Sequence, residues 1–333
     1  MKRKLSLFTS LCLCTALLFG CASQPGGASG DSSASSYPED SIQLCVPYSA
    51  GGANDSLARL IAEKAQEKWG QPVEVINQTG VNAAVVEWMS KPSDGYSMMI
   101  IPYGELAGIM ASDTSFPIGE DQITYVAKLS THPLALVVNA NSPNYQDFEE
   151  FVQWCRANPT EVTWGAGSMS GISAIAIAQL MQVIGVDFAD TRIVTTTGSS
   201  DIATKVAGDH IVMGFGNVTG YSSLIEAGRL RVLAVSPFRD EWYPDVQTVE
   251  EWGYEGATVA NGNCLIMPAG VPQDVVDRWN ELLSELYADQ DFLDEFATFQ
   301  VTPDYMGSEE FTTYFDEQLT EFTAVAEETG LRK

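Results

Sequence analysis

Gly167-Ser168-Met169-Ser170-Gly171 is the segment most suggestive of covalent chemistry, because a hydrolase exposes its serine between glycines at a strand-to-helix turn. Here Met169 holds the central position, and a thioether cannot attack a carbonyl. The two histidines do not repair this: His132 precedes a proline and His210 opens a strand-like run, so neither is placed as a base. Gly165 and Gly167 resemble the start of a dinucleotide turn, but Ser170 stands where the third glycine belongs. With two histidines and no clustered cysteines there is no transition-metal ligand set. Neither a metal nor a cofactor is expected, and the chain does not read as an enzyme.

What remains is chemistry done by the main chain. Pro47 to Asp55, Gly165 to Gly171 and Thr195 to Ser200 share one design, in which a strand runs through a Gly/Ser/Thr-rich turn into a helix. Small residues let the backbone approach a ligand, and the helix that follows begins with N–H groups that have no partner inside it. Two facing lobes, each offering such a turn, would form an anion-binding cleft without Arg or Lys.

The elements that must hold these turns follow an α/β alternation. Ile42 to Val46 reads as a buried strand, and Asn54 or Asp55 can cap a helix whose Leu57, Leu60, Ile61 and Ala65 share a face. Gly70 ends that helix, Val73 to Ile76 is a strand, Asn82 to Lys91 a helix, and Ser97 to Ile101 a strand. Leu134 to Val138 leads toward Asn141-Ser142-Pro143, where a crossing to a second block is expected. That block runs through helices at Gln146 to Ala157, Ile172 to Ile184, Ser199 to Ala207 and Tyr221 to Ala227. Its strands are Val162 to Trp164, Arg192 to Val194, Ile211 to Phe215 and Leu230 to Val235. Asn263 to Met267 looks like the return, and helices over Gln273 to Ala288, Asp291 to Phe299 and Ser308 to Thr329 finish the chain. Residues 37–138 with 259–333 make the first expected lobe, and residues 139–258 the second. About 300 folded residues suffice for two cores.

Lys2, Arg3 and Lys4 followed by an uncharged run from Leu5 to Gly20 have the layout of a secretory signal over residues 1–20. Leu18-Phe19-Gly20-Cys21 resembles a lipobox, which would make a lipidated Cys21 the first mature residue and tie the protein to the bilayer. Ordinary cleavage or an uncleaved anchor are the alternatives. Residues 21–36, rich in Gly, Ser and Ala, read as a flexible tether. The formal charge of -27 disfavours nucleic acid and anionic headgroups, without forbidding an anion held by backbone amides. Cys45, Cys155 and Cys264 lie in apolar contexts and read as buried free thiols, one disulfide among them being the alternative.

Taken in order, Val46-Pro47-Tyr48-Ser49-Ala50-Gly51-Gly52, Gly70-Gln71-Pro72-Val73, Asn77-Gln78-Thr79-Gly80, Asp94-Gly95-Tyr96 and Thr163-Trp164-Gly165 carry a family resemblance. Gly185-Val186-Asp187, Phe215-Gly216-Asn217, Ala227-Gly228-Arg229-Leu230 and Pro268-Ala269-Gly270-Val271-Pro272 continue it. The chain resembles the receptor proteins of tripartite tricarboxylate transporters, the Bug-type extracytoplasmic solute-binding proteins. The resemblance implies a two-lobed type II periplasmic-binding (Venus-flytrap) fold with two crossing strands. It also implies a small carboxylate ligand, whether a di- or tricarboxylate, an amino-acid-like acid or an aromatic acid, with membrane permease subunits as partners, an extracytoplasmic location and a monomer. Carried over onto this chain, the ligand residues are Tyr48, Ser49, Ala50, Gly51, Gly52, Asn54 and Asp55 on one lobe. On the other they are Ala166, Gly167, Ser168, Met169, Ser170, Thr197, Gly198, Ser199 and Asn217. Asp55 could instead only cap its helix, Tyr48 pack beside the cleft, and Ser168, Ser170 and Asn217 serve their turns. The family often has His at Ala174 and Asp at Gly216, and a small or amide residue at Met169. These departures make the far wall less polar and point to an apolar or aromatic monoacid. A receptor that presents ligand to a sensor kinase, or a surface hydrolase, is the alternative function.

Overall fold

The computed structural model describes residues 36–332; the expected signal, the Cys21 lipidation site and the tether up to Ser35 lie outside the described residues. The first parallel strands grow more apolar from the edge of the sheet inward: Val73–Asn77 carries an exposed Glu74, Ile42–Val46 is interrupted only by Gln43, and Ser97–Pro102 is buried throughout. The chain runs through β1 (Ile42–Val46), α1 (Ala53–Trp69), β2 (Val73–Asn77), α2 (Val81–Met89), β3 (Ser97–Pro102) and α3 (Tyr103–Ser112). The long β4 (Ile123–Asn139) leads into α4 (Phe148–Ala157), β5 (Thr163–Ala166), α5 (Ile172–Val183), β6 (Arg192–Thr195) and α6 (Ser199–Ala207). β7 (Met213–Asn217), α7 (Ser222–Glu226) and β8 (Leu230–Ser236) complete this block. The chain then returns through β9 (Ala260–Asn261) and β10 (Asn263–Pro268), and ends in α8 (Gln273–Tyr287), α9 (Gln290–Ala297), β11 (Thr302–Gly307) and α10 (Ser308–Glu328).

Strand order defines two lobes. In the first, β1 pairs in parallel with β2 and β3, and β10 bridges β3 to β4 in antiparallel register, with β11 also on β4. In the second, β7 and β8 pair antiparallel with β4, and β5 lies parallel to β6 and β7. β4 belongs to both. Its residues up to Thr131 pair in the first sheet, and those from Leu134 pair in the second. Between them His132 and Pro133 pair with Asn261 and Ala260 of the returning β9, so the two crossing strands are hydrogen-bonded to each other.

This corrects part of the sequence reading. Leu134 to Val138 is a strand of the second sheet, and the chain changes sheets before it rather than at Asn141-Ser142-Pro143. Turn-forming residues marked the wrong place because β4 changes sheets without a turn. The helix α3 and the strand β11 were not read at all. The apolar face of α1 packs with Trp279, Leu283 and Phe296 on one side of the first sheet. A larger core runs from Trp88 and Leu106 through Phe311 and Phe315 of α10 into Ile175 and Leu180 of α5. The second lobe adds a smaller cluster around Val137, Ile202 and Tyr221. Cys45, Cys155 and Cys264 are buried free thiols, with burial pushing the Cys45 and Cys155 groups up to about 12.

Candidate functional site

Five helices begin around one cavity of about 400 Å³ in the cleft. Asn54 of α1, Val81 of α2, Pro102 and Glu105 of α3, Ile172 and Ser173 of α5, and Ser199 of α6 all line it. A helix start carries N–H groups without an intrahelical partner and the positive end of the peptide dipoles. At α3 the Gly262 carbonyl and Asn261 take the first amides, and at α5 Glu105 takes the Ile172 amide, which leaves the starts of α1, α2 and α6 to favour an anion. Among the described residues no Lys, Arg or His lines the cavity, and Glu105 brings the only carboxyl group in its wall.

Two of the starts are built alike, one in each lobe. At α1 the residue before the helix is Gly52, and Asp55 in the first turn accepts the Gly51 N–H at 2.8 Å. At α6 the residue before the helix is Gly198, and Asp201 in the first turn accepts the Thr197 N–H at 3.0 Å. A cation one turn on completes each device: Arg59 lies 2.9 Å from Asp55 Oδ1, and Lys205 pairs with Asp201. Asn77 Nδ2 ties the first further, donating to Asp55 Oδ1 at 3.0 Å and to the Tyr48 carbonyl at 3.2 Å. Burial works to raise the Asp55 pKa, but Arg59, the Gly51 amide and Asn77 together hold it below the ordinary value. In this way each carboxylate pins the turn that precedes its helix.

The structure divides the expected ligand residues. Tyr48, Asn54, Ala166, Gly167, Thr197, Gly198, Ser199 and Asn217 line the cavity. Ser49, Ala50, Gly51, Gly52 and Asp55 do not, and Gly52 rather than Asn54 or Asp55 holds the cap position of α1. Asp55 therefore shapes the loop from behind, with its oxygens fully engaged. Ser168, Met169 and Ser170 also lie off the cavity: the serines bond each other across their turn, and Met169 packs on the core. Asn217 both lines the cleft and accepts the Thr219 N–H at 3.2 Å. Trp164, which abuts the second loop, is buried and donates to Thr191 Oγ1 at 3.0 Å.

Several wall residues went unforeseen. Thr196 is buried with its hydroxyl unpartnered, and Ser173 and Asn261 add to the polar lining, while Gly216, already noted as a departure of the far wall, also lines the cavity. Asn261 Oδ1 accepts the Gly104 N–H at 3.2 Å, linking the crossing strand to the start of α3. Glu105 is partly buried, and desolvation raises its carboxyl while the Ile172 amide, 3.1 Å from Oε2, pulls it down. No local motif announces Glu105, because its position depends on a contact between two lobes.

A two-lobed α/β molecule with helix starts converging on an interlobe cavity is a solute-binding protein of the type II periplasmic class. Residues 57–331 match the family described as tripartite tricarboxylate transporter family receptor, and the chain belongs to that family. It is 27% identical over 318 residues to a UPF0065 protein of Cupriavidus necator, covering 94% of each chain. It is 30% identical over 265 residues to another from Bordetella bronchiseptica, covering 77% of this chain and 76% of that one. Among solved structures, the periplasmic binding protein BugD superposes with a TM-score of 0.75 at 20% identity, covering 89% of this chain and all of that one. MatC from Rhodopseudomonas palustris, solved with bound malate, gives a TM-score of 0.75 at 20% identity over 87% of this chain and 100% of that one. An R. palustris protein solved with adipate gives 0.76 at 22% identity, over 88% and 98%. These likenesses establish the fold, and the family makes the chain a solute-binding receptor rather than an enzyme.

Proposed function

We propose that this receptor captures a small organic carboxylate outside the cytoplasm and delivers it to the membrane subunits of a tripartite tricarboxylate-type transporter. The observation that carries the reading is the convergence of helix starts from both lobes on a cavity that has no cationic side chain among the described residues. An acid held there makes charge-assisted hydrogen bonds to backbone amides, which strengthen as closure excludes water. Adipate and malate in the two R. palustris neighbours are acids of suitable size, which supports the class though not the compound. The paired segment His132-Pro133 and Ala260-Asn261 serves as the hinge, dividing the molecule into lobes close to residues 37–131 with 262–333, and 134–259. A lipid on Cys21 retains the monomer at the membrane, within reach of its permease.

Gly167 provides the test. It lines the cavity, and a Cβ there meets nothing closer than the Thr196 carbonyl at 3.9 Å, so Gly167→Leu fills the site without straining the fold. A thermal-shift screen of mono-, di-, tri- and aromatic carboxylates should find an acid that stabilises the native chain by about 2.7 kcal/mol at a hundredfold excess over its Kd. Gly167→Leu should abolish that shift with little change in the unliganded melting temperature. An equal shift in both proteins would place binding elsewhere.

A further inference from the structure

Glu105 reaches out of α3 in the first lobe and takes the start of a helix in the second. Three glycines make this possible. A Cβ on Gly108 would come 2.6 Å from the Gly171 carbonyl carbon, one on Gly104 would come 2.4 Å from Ile172 Cδ1, and one on Gly171 would meet Glu105 Oε1 at 2.8 Å. Without side chains at these points, α3 closes on the beginning of α5, and the Glu105 carboxylate lies against Gly171 with Oε2 on the Ile172 N–H. A carboxyl group of the protein thus occupies the place where an anionic ligand group would otherwise meet α5.

Nothing described in the structure neutralises it. Among the described residues no Lys, Arg or His pairs with Glu105, Oε1 has no described partner, and the cavity wall supplies no cation. The Tyr48 phenol faces the same carboxylate, whose charge adds to burial in raising its pKa. The cleft is therefore polarised. Free helix starts at Asn54 and Ser199 favour a ligand's carboxylate, and an uncompensated carboxylate at α5 repels a second one and attracts a donor. The buried Thr196 hydroxyl, which has no described hydrogen-bond partner, is a further polar group of the wall that calls for one.

We propose that Glu105 is the specificity-determining residue of this cleft, selecting a monocarboxylate that carries an ammonium group over a dicarboxylate of the same length. The proposal rests on the carboxylate-receptor reading above and narrows it. A merely structural Glu105, tying α3 to α5, predicts something different: glutamine keeps an oxygen for the Ile172 N–H, so Glu105→Gln would leave ligand preference as it was.

The test is calorimetric titration of the full chain and of Glu105→Gln with two sets of matched acids. One set is δ-aminovalerate, valerate and glutarate; the other is aminomethylbenzoate, toluate and terephthalate. The native protein should bind an amino acid of at least one set most tightly and its dicarboxylate least. Glu105→Gln should cost that amino acid roughly ten- to a hundredfold in affinity, the worth of a charge-assisted bond, and narrow the gap to the dicarboxylate. Dicarboxylate preference in the native protein, or one ranking shared by both proteins, overturns the role of Glu105 and leaves the receptor reading standing. Failure of every acid in both proteins overturns the receptor reading and this proposal with it. If the variant does not fold, the native ranking alone decides.

Discussion

His132 stands where β4 passes from one sheet to the other, and both its ring nitrogens are buried without a hydrogen-bond partner. Desolvation lowers its pKa from 6.5 to about 4. The unfolded imidazole therefore takes up a proton before the folded one. Stability from this residue is whole above about pH 6.5 and is lost as pH falls toward about 4, by about 3 kcal/mol in all. His132→Leu should remove that slope. Urea unfolding at pH 7 and pH 4.5 should show the native chain losing more stability than the variant between the two. The comparison must be a difference, because the Glu120 carboxyl, raised to about 7 mainly by burial, gains stability over the same fall. Asp55 gives a second residue-scale prediction. Asp55→Ala frees the Gly51 amide and the Asn77 amide together, and should cost about 1–3 kcal/mol in urea unfolding while weakening ligand binding. Asp201→Ala should cost less, since water already solvates that carboxylate.

At the scale of elements, the contrast between α6 and α3 is instructive. Ser199 to Ala207 was legible as a helix because Ile202, Ala203 and Val206 fall on one face behind a glycine. Tyr103 to Ser112 was not, because Gly104 and Gly108 read as breakers in isolation. In the folded chain those glycines lie where α3 meets α5 and β9, so tertiary packing repays their conformational entropy. The same contact makes Gly171 irreplaceable: its φ of 104° is a region L-residues avoid, and Glu105 fills the space beside it. Gly171→Ala should destabilise the protein by about 1–3 kcal/mol in thermal unfolding and displace the Glu105 carboxylate. The cap of α1 lies two or three residues before the expected one for a related reason. Asp55 looks like a cap in sequence, but its side chain turns back to the Gly51 amide, and Gly52 takes the cap position.

For the molecule as a whole, charge and site oppose each other. A surface of formal charge -27 repels an approaching acid, whereas the helix starts inside the cleft attract it at short range. Salt screens the long-range repulsion more than it screens contacts in a closed cleft. The association rate of an anionic ligand should therefore rise with ionic strength, as stopped-flow tryptophan fluorescence would measure. A fall would mean that local attraction extends beyond the surface field.

Most strands and helices other than α3 and β11, and the buried thiols, could be read from residues alone, because periodicity and small-residue turns are local properties. Tyr48, Asn54, Gly167, Thr197 and Ser199 were found because their loops announce themselves in sequence, and they do line the cavity. Which flank of each turn faces the cavity, where β4 changes partners and why Glu105 lies in its wall were decided by the fold. Those facts depend on how two lobes approach, and residues as distant in the chain as Glu105 and Ile172 leave no mark on each other until packing brings them together.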